Sequence, residues 1–217
     1  MRQGPRAFEA TFSAATVLAG TVRNALTRAY DSACESHLPS RGSNEMTFGF
    51  NVYHFAVHEL TIAAERSGGA LRVMSLRPVF RLGANDYELA CHRVGTHADQ
   101  NIDTAFPNND NAACTMVQAQ LWLPGIDRSA GIEQARKVVI AHLGNPDDGL
   151  GAIYACIPGR TVGDRITGWA WTHRIWHLED GRSAEVVAPA SPPPAEVIEA
   201  PVVRRKRKRA DKSEEEG

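Results

Sequence analysis

Apolar residues recur at intervals of three and four near the start of the chain. Phe8, Phe12, Ala15, Ala19, Val22, Leu26, Ala29 and Ala33 share one helical face and predict a long amphipathic helix from Arg6 to about Glu35. Its alanines and Gly20 permit close approach by a partner, either the next helix or a second copy of the chain. The polar connector PSRGSN, Pro39 to Asn44, ends it. A second helix is predicted over Asn51 to Arg66. There His54, His58, Thr61 and Glu65 form a narrow polar stripe, with Phe50, Tyr53, Val57, Leu60 and Ala64 on one flank and Phe55 and Ile62 on the other. With apolar neighbours on both edges, part of that stripe is expected to face the interior or a cleft.

Beyond Ser67-Gly68-Gly69 the period falls to two. Leu71, Val73, Ser75 and Arg77 alternate with Arg72, Met74 and Leu76, and the run continues through Pro78 to Leu82. The turn Gly83-Ala84-Asn85-Asp86 and a returning strand, Tyr87 to Val94, complete a hairpin. Pro78 lacks a backbone donor, which puts this first strand at an edge or bulges it. Gly95 to Ala113 reads as a long polar loop and Cys114 to Leu123 as a strand. A helix capped by Asp127 or Ser129 is predicted through about Leu143, with Ile132, Ala135, Val139 and Leu143 along one side. Ala152 to Ile157 and Arg165 to Leu178 form the last hairpin, turning at Gly163-Asp164. In its second strand Trp169, Trp171, His173, Ile175 and His177 are expected on one face; an ordinary sheet core with a wet rim is the simpler expectation there, and a platform of the kind that stacks bases or sugars is the alternative. Ala170, Thr172, Arg174 and Trp176 take the other face.

These elements predict an α+β fold: two N-terminal helices, a mainly antiparallel five-stranded sheet and one further helix, forming a single domain over residues 1–183. The succession of elements resembles the core order of the restriction-endonuclease-like nuclease fold. Asp86 and Glu88 could stand for that fold's first acidic position. Its acid-x-Lys triplet falls on Gln118-Ala119-Gln120, so no family is assigned.

Composition changes the picture mainly at the C-terminus. Residues 184–217 open with a Pro- and Ala-rich stretch that supplies no apolar face to pack, which predicts a disordered tail. Within it Arg204, Arg205, Lys206, Arg207, Lys208 and Arg209 run consecutively, followed by Glu214 to Glu216. The net charge of the whole chain is −1, so no global field draws it to polyanions and any attraction is local to that run. Such a run would engage DNA or RNA phosphates without reading sequence, or serve as a nuclear address in a eukaryotic host. Cys34, Cys91, Cys114 and Cys156 show no paired short spacing and read as free thiols. No apolar run approaches the roughly 20 residues of a membrane helix, and no leader is evident. The expected location is the cytoplasm.

Candidate chemistry centres on His54 and His58, four apart on a helix, with Glu65 two turns later. Imidazole nitrogens and a carboxylate in that arrangement could hold zinc or manganese for a hydrolase or nuclease. The position after the first histidine is Phe55, where the two-histidine protease motif carries its glutamate. A second register, Asp99, Asn101, Asp103 and Asp110, imitates a calcium loop, but Thr104 stands at the glycine position and Pro107 at the ninth. An Asx-rich loop capping its own backbone is the simpler expectation there. There is no phosphate-cradling glycine loop, dinucleotide fingerprint or nucleophile motif. The sequence therefore points to a non-catalytic nucleic-acid-associated or assembly protein. A metal-dependent hydrolase and a subunit self-associating through the N-terminal helix are the alternatives.

Overall fold

The computed structural model describes residues 10–13, 16–76, 80–107, 137–162 and 165–182. The chain divides into two units, Met1–Ala184 and Glu185–Gly217, and every described residue belongs to the first.

Helix α1 spans Val17–Ser36. The single helix expected from Arg6 does not form. Residues 10–12 are helical, but Thr16 then turns back, its backbone N–H and its hydroxyl both donating to Ser13 O at 2.9 Å. The same Thr16 hydroxyl accepts from Ala19 N at 3.1 Å and starts α1 afresh, so a local cap competes successfully with helix continuation. Helix α2 spans Glu45–Arg66 and begins earlier than the apolar period suggested. Its start is a reciprocal capping box: Asn44 Oδ1 accepts from Thr47 N at 3.0 Å and Thr47 Oγ1 accepts from Asn44 N at 2.8 Å. The two helices pack together, and Arg28 reaches Glu59 across them at 2.5 Å.

Six strands follow, in spatial order β1 to β6: β1 Arg72–Ser75, β2 Arg81–Ala84, β3 Tyr87–Gly95, β4 Lys137–Asn145, β5 Gly149–Val162 and β6 Arg165–His177. A short helix α3, Leu178–Arg182, closes the described part. All neighbouring strands are antiparallel except β3 and β4, which are parallel and joined by residues 96–136. The α+β class is as expected, while the sheet differs in three places. The strand expected from Leu71 to Leu82 is two strands, which pair with each other on either side of Pro78. Asn85 turns the next hairpin with φ 51°, a left-handed conformation that asparagine tolerates.

The helix expected to reach Leu143 is, from Lys137, strand β4 instead. Val138, Val139, Ile140, Ala141, His142 and Leu143 are all buried, because β4 lies mid-sheet with both faces covered. Such a strand reads as an unbroken apolar run in which helical spacings arise by chance. The expected strand Cys114 to Leu123 and the start of that helix lie outside the described residues.

The third difference is in β6. The register skips a β6 residue at Thr167, Ala170 and Ile175, and the bulges at Ala170 and Ile175 shift the side chains beyond them out of simple alternation. Trp169 therefore packs with Ile166, Phe106 and Ile102 on one side. Trp171, Ile175 and Trp176 join the core on the other. These residues form ordinary sheet core, as the simpler expectation had it, and the alternative platform is not met because Trp169 lies on the opposite face from Trp171 and Ile175; the Trp169 indole N–H is already given to Ile102 O at 2.9 Å and Ala105 O at 3.1 Å.

The main core lies between the helices and one sheet face. Leu18, Ala19, Val22, Ala25, Leu26, Ala29, Tyr30 and Ala33 of α1 meet Phe48, Val52, Ala56 and Leu60 of α2 above Leu89, Val138, Ile140 and Ile153. A smaller cluster on the opposite face gathers Ala90, Val94, Val139, Ala141, Leu143 and Cys156 under Ala105 and Phe106.

Candidate functional site

The unequal strand lengths create the site. β2 pairs with β3 only from Tyr87 to Ala90, whereas β4 pairs with β3 as far as Gly95. Among the described residues no strand covers the other edge of β3 beyond Ala90, and the first half of α2 runs alongside it. Gly49 permits this approach, since a Cβ there would lie 3.3 Å from Arg93 Nη1. Arg93 is held on three sides: its Nε and Nη2 donate to Gly144 O at 3.1 and 2.7 Å, Nη2 also donates to Glu45, and the guanidinium lies over the Phe48 ring at 5.3 Å. Its charge is answered within the protein.

Two histidines lie beside it. His142 is buried on the helix side and shares a 2.9 Å hydrogen bond between its Nδ1 and Tyr30 Oη, with the rings edge to face. Burial first, then His92 and Arg93 nearby, push its pKa down to about 3. Tyr30 is driven well above the usual phenol range by its own burial, partly offset by Arg93. His92 is 8% exposed, its Nε2 has no hydrogen-bond partner among the described residues, and burial lowers its pKa to about 4. Both rings are therefore neutral at neutral pH.

His92 and Arg93, with Gly49 and Tyr53, line two adjoining spaces. One is a small cavity of about 50 Å³ closed by Ala56, Val57, Phe80, Cys91 and His142. The other is an open cleft of about 1020 Å³, lined among the described residues by Met46 and Tyr53 of α2, by Thr96, Thr104 and Phe106 of the following loop, and by Ile166 and Thr167 of β6. A concave, largely apolar space with a few convergent polar groups and a perturbed titratable group is the usual form of a small-ligand site.

The residues singled out in the sequence lie elsewhere. His54, His58 and Glu65 are exposed, on the side of α2 away from the buried stripe Phe48, Val52, Ala56, Leu60. The expectation that part of the polar stripe turns inward holds only for half-buried Thr61 and is corrected for the two histidines and Glu65, because α2 buries its apolar stripe instead and leaves Phe50 and Tyr53 outside as well. The His54 ring packs against Phe50 and Tyr53, with centroids 4.4 and 5.9 Å apart. Among the described residues no three histidine, cysteine, aspartate or glutamate side chains come together to hold a metal. In the Asx-rich loop Asn101 Oδ1 accepts from Asp103 N at 2.9 Å, so this side chain caps its own turn. Asp110, and the basic run Arg204 to Arg209, lie outside the described residues.

His92, Arg93, His142 and Tyr30 went unnoticed in the sequence. The one local signal was His142 inside the apolar run KVVIAHLGN, where a polar residue needs a buried partner. Among the described residues no helix is long and apolar enough to cross a membrane. No family model, curated protein or solved structure matches this chain.

Proposed function

We propose that this is a non-catalytic, nucleic-acid-associated protein whose folded body is tethered to polyanions by its C-terminal basic run. The observation that carries the reading is the six consecutive cations Arg204 to Arg209, which belong to the unit Glu185–Gly217 and not to the one that holds every described residue. Closely spaced fixed charges displace condensed counterions from a phosphate backbone, giving affinity without sequence preference. Glu214 to Glu216 follow closely and moderate that affinity. Removing residues 203–217 is expected to abolish the shift of a labelled DNA or RNA in low-salt gel electrophoresis. Full retention would move the binding site onto the body and refute the assignment to the tail.

A second reading, homo-oligomerisation, is favoured by an apolar strip on α2. Met46, Phe50 and Tyr53 recur at four and three and are 77%, 62% and 40% exposed. Helix α1, the face first expected to self-associate, buries its alanine stripe within its own chain. Phe50→Glu is expected to convert any oligomer seen by light scattering to monomer, and a wild-type monomer at high concentration would remove this reading.

A further inference from the structure

We propose that the cleft beside the open edge of β3 binds a neutral, planar ring with a hydrogen-bonding rim, of the nucleobase class. It rests on the nucleic-acid reading above but uses a different part of the molecule, the folded body. Four features select this chemistry. The first is electrostatic: Arg93 is occupied by Glu45, Phe48 and Gly144 O, and His92 is uncharged. Arg165, the other arginine lining the cleft, likewise has a partner of its own, so a ligand with an isolated full charge gains little from such a site, whereas a neutral one loses little by entering it.

The second feature is the wall. Met46 and Tyr53 on α2 and Phe106 and Ile166 on the far side offer soft or flat apolar surface to the faces of a ring. Third, His92 lines the cleft, and its buried Nε2 has no hydrogen-bond partner among the described residues, so a ligand that draws this ring toward the cleft satisfies a group the protein leaves unpaired. Fourth, the Thr96, Thr104 and Thr167 hydroxyls and the edge of β3 beyond Ala90 supply polar groups around the cleft. An apolar molecule would leave the His92 nitrogen unanswered. A charged one would compete for Glu45, Arg93 or Arg165, each of which already has a partner. Bases have both the faces and the polar edge this space would meet, and an unstacked base in a single strand presents the same chemistry as a free nucleoside.

The test uses the full-length chain and uncharged nucleosides, to which the basic run is indifferent. Adenosine, guanosine, cytidine and thymidine are titrated in turn by calorimetry. At least one is expected to bind, with Thr104→Trp and Thr167→Trp, both at exposed positions lining the cleft, weakening it about tenfold or more by filling the space. His92→Gln, which keeps a polar group of similar reach, is expected to change the order of preference among the four. If His92→Gln fails to fold, the two threonine variants still decide. Replacing Arg204 to Arg209 by glutamine is expected to leave nucleoside binding unchanged, so failure of the tail reading and failure of this one are distinguishable. At salt high enough to silence the tail, a short single strand that binds while its blunt duplex does not identifies an unstacked base as the ligand's source. If neither oligonucleotide binds, a nucleoside that does bind identifies a free nucleoside. No binding of any nucleoside, or binding unaffected by both tryptophan variants, would overturn the proposal.

Discussion

Between pH 7.5 and pH 5 the folded domain is expected to lose about 4 kcal/mol of stability, the slope rising toward about 1.4 kcal/mol per pH unit for each of two buried histidines once the pH is below about 6.5. Burial holds the folded pKa of His92 near 4 and that of His142 near 3, both below the value of about 6.5 expected in the unfolded chain. A pH unit or more above that value neither state takes up protons at these rings, and the folded domain has its full stability. As pH falls the unfolded chain binds two protons that the folded one refuses. Unfolding is favoured increasingly until the pH approaches the folded values. Urea unfolding at pH 7.5, 6 and 5 measures the slope. His142→Gln removes one titrating ring and is expected to roughly halve it. A transition midpoint that stays constant from pH 7 to pH 5 would mean the two rings are not buried as neutral groups.

Gly144→Ala is expected to destabilise the domain by about 3 kcal/mol, the upper part of the usual range for overpacking. A Cβ at this position would lie 2.2 Å from Gly149 O and 2.4 Å from Tyr30 Cε1. The first obstacle is backbone in the neighbouring strand, and the second is a buried ring fixed by His142. Neither can yield like the end of an exposed side chain. Gly144 O is also the carbonyl that anchors Arg93, so displacement of this strand end would disturb the wall of the cleft. Chemical denaturation of the purified variant checks the magnitude. A loss below about 1 kcal/mol would show that β4 and β5 relax here more freely than packed interiors usually do.

Both helices, the hairpin at Asn85 and the final hairpin were legible because each rests on a local signal: apolar spacing, a capping residue or a turn residue. What escaped was set by tertiary neighbours. Lys137–Asn145 has helical spacings, but β3 and β5 flank it and both its faces are covered, so its apolar residues need no period. The bulges at Ala170 and Ile175 are invisible to a count of alternation, yet they decide which tryptophan meets which cluster. On α2 two apolar stripes competed. Phe48, Val52, Ala56 and Leu60 took the core, leaving Met46, Phe50 and Tyr53 outside and the His54, His58, Glu65 stripe in solvent. The cleft was illegible for a related reason: it exists because β2 begins only at Arg81, opposite Ala90, while β3 runs on to Gly95, a mismatch between strands that no single segment encodes.

The salt dependence of nucleic-acid binding measures the tether directly. For the intact chain on a labelled single strand, the logarithm of the binding constant should fall with the logarithm of salt concentration at a slope of up to about 4, six phosphates neutralised at about 0.7 each. With Arg204 to Arg209 all replaced by glutamine, the slope and the low-salt affinity should both collapse. A variant that kept the wild-type slope, or an intact chain that bound neither DNA nor RNA at low salt, would contradict the assignment of polyanion affinity to this run.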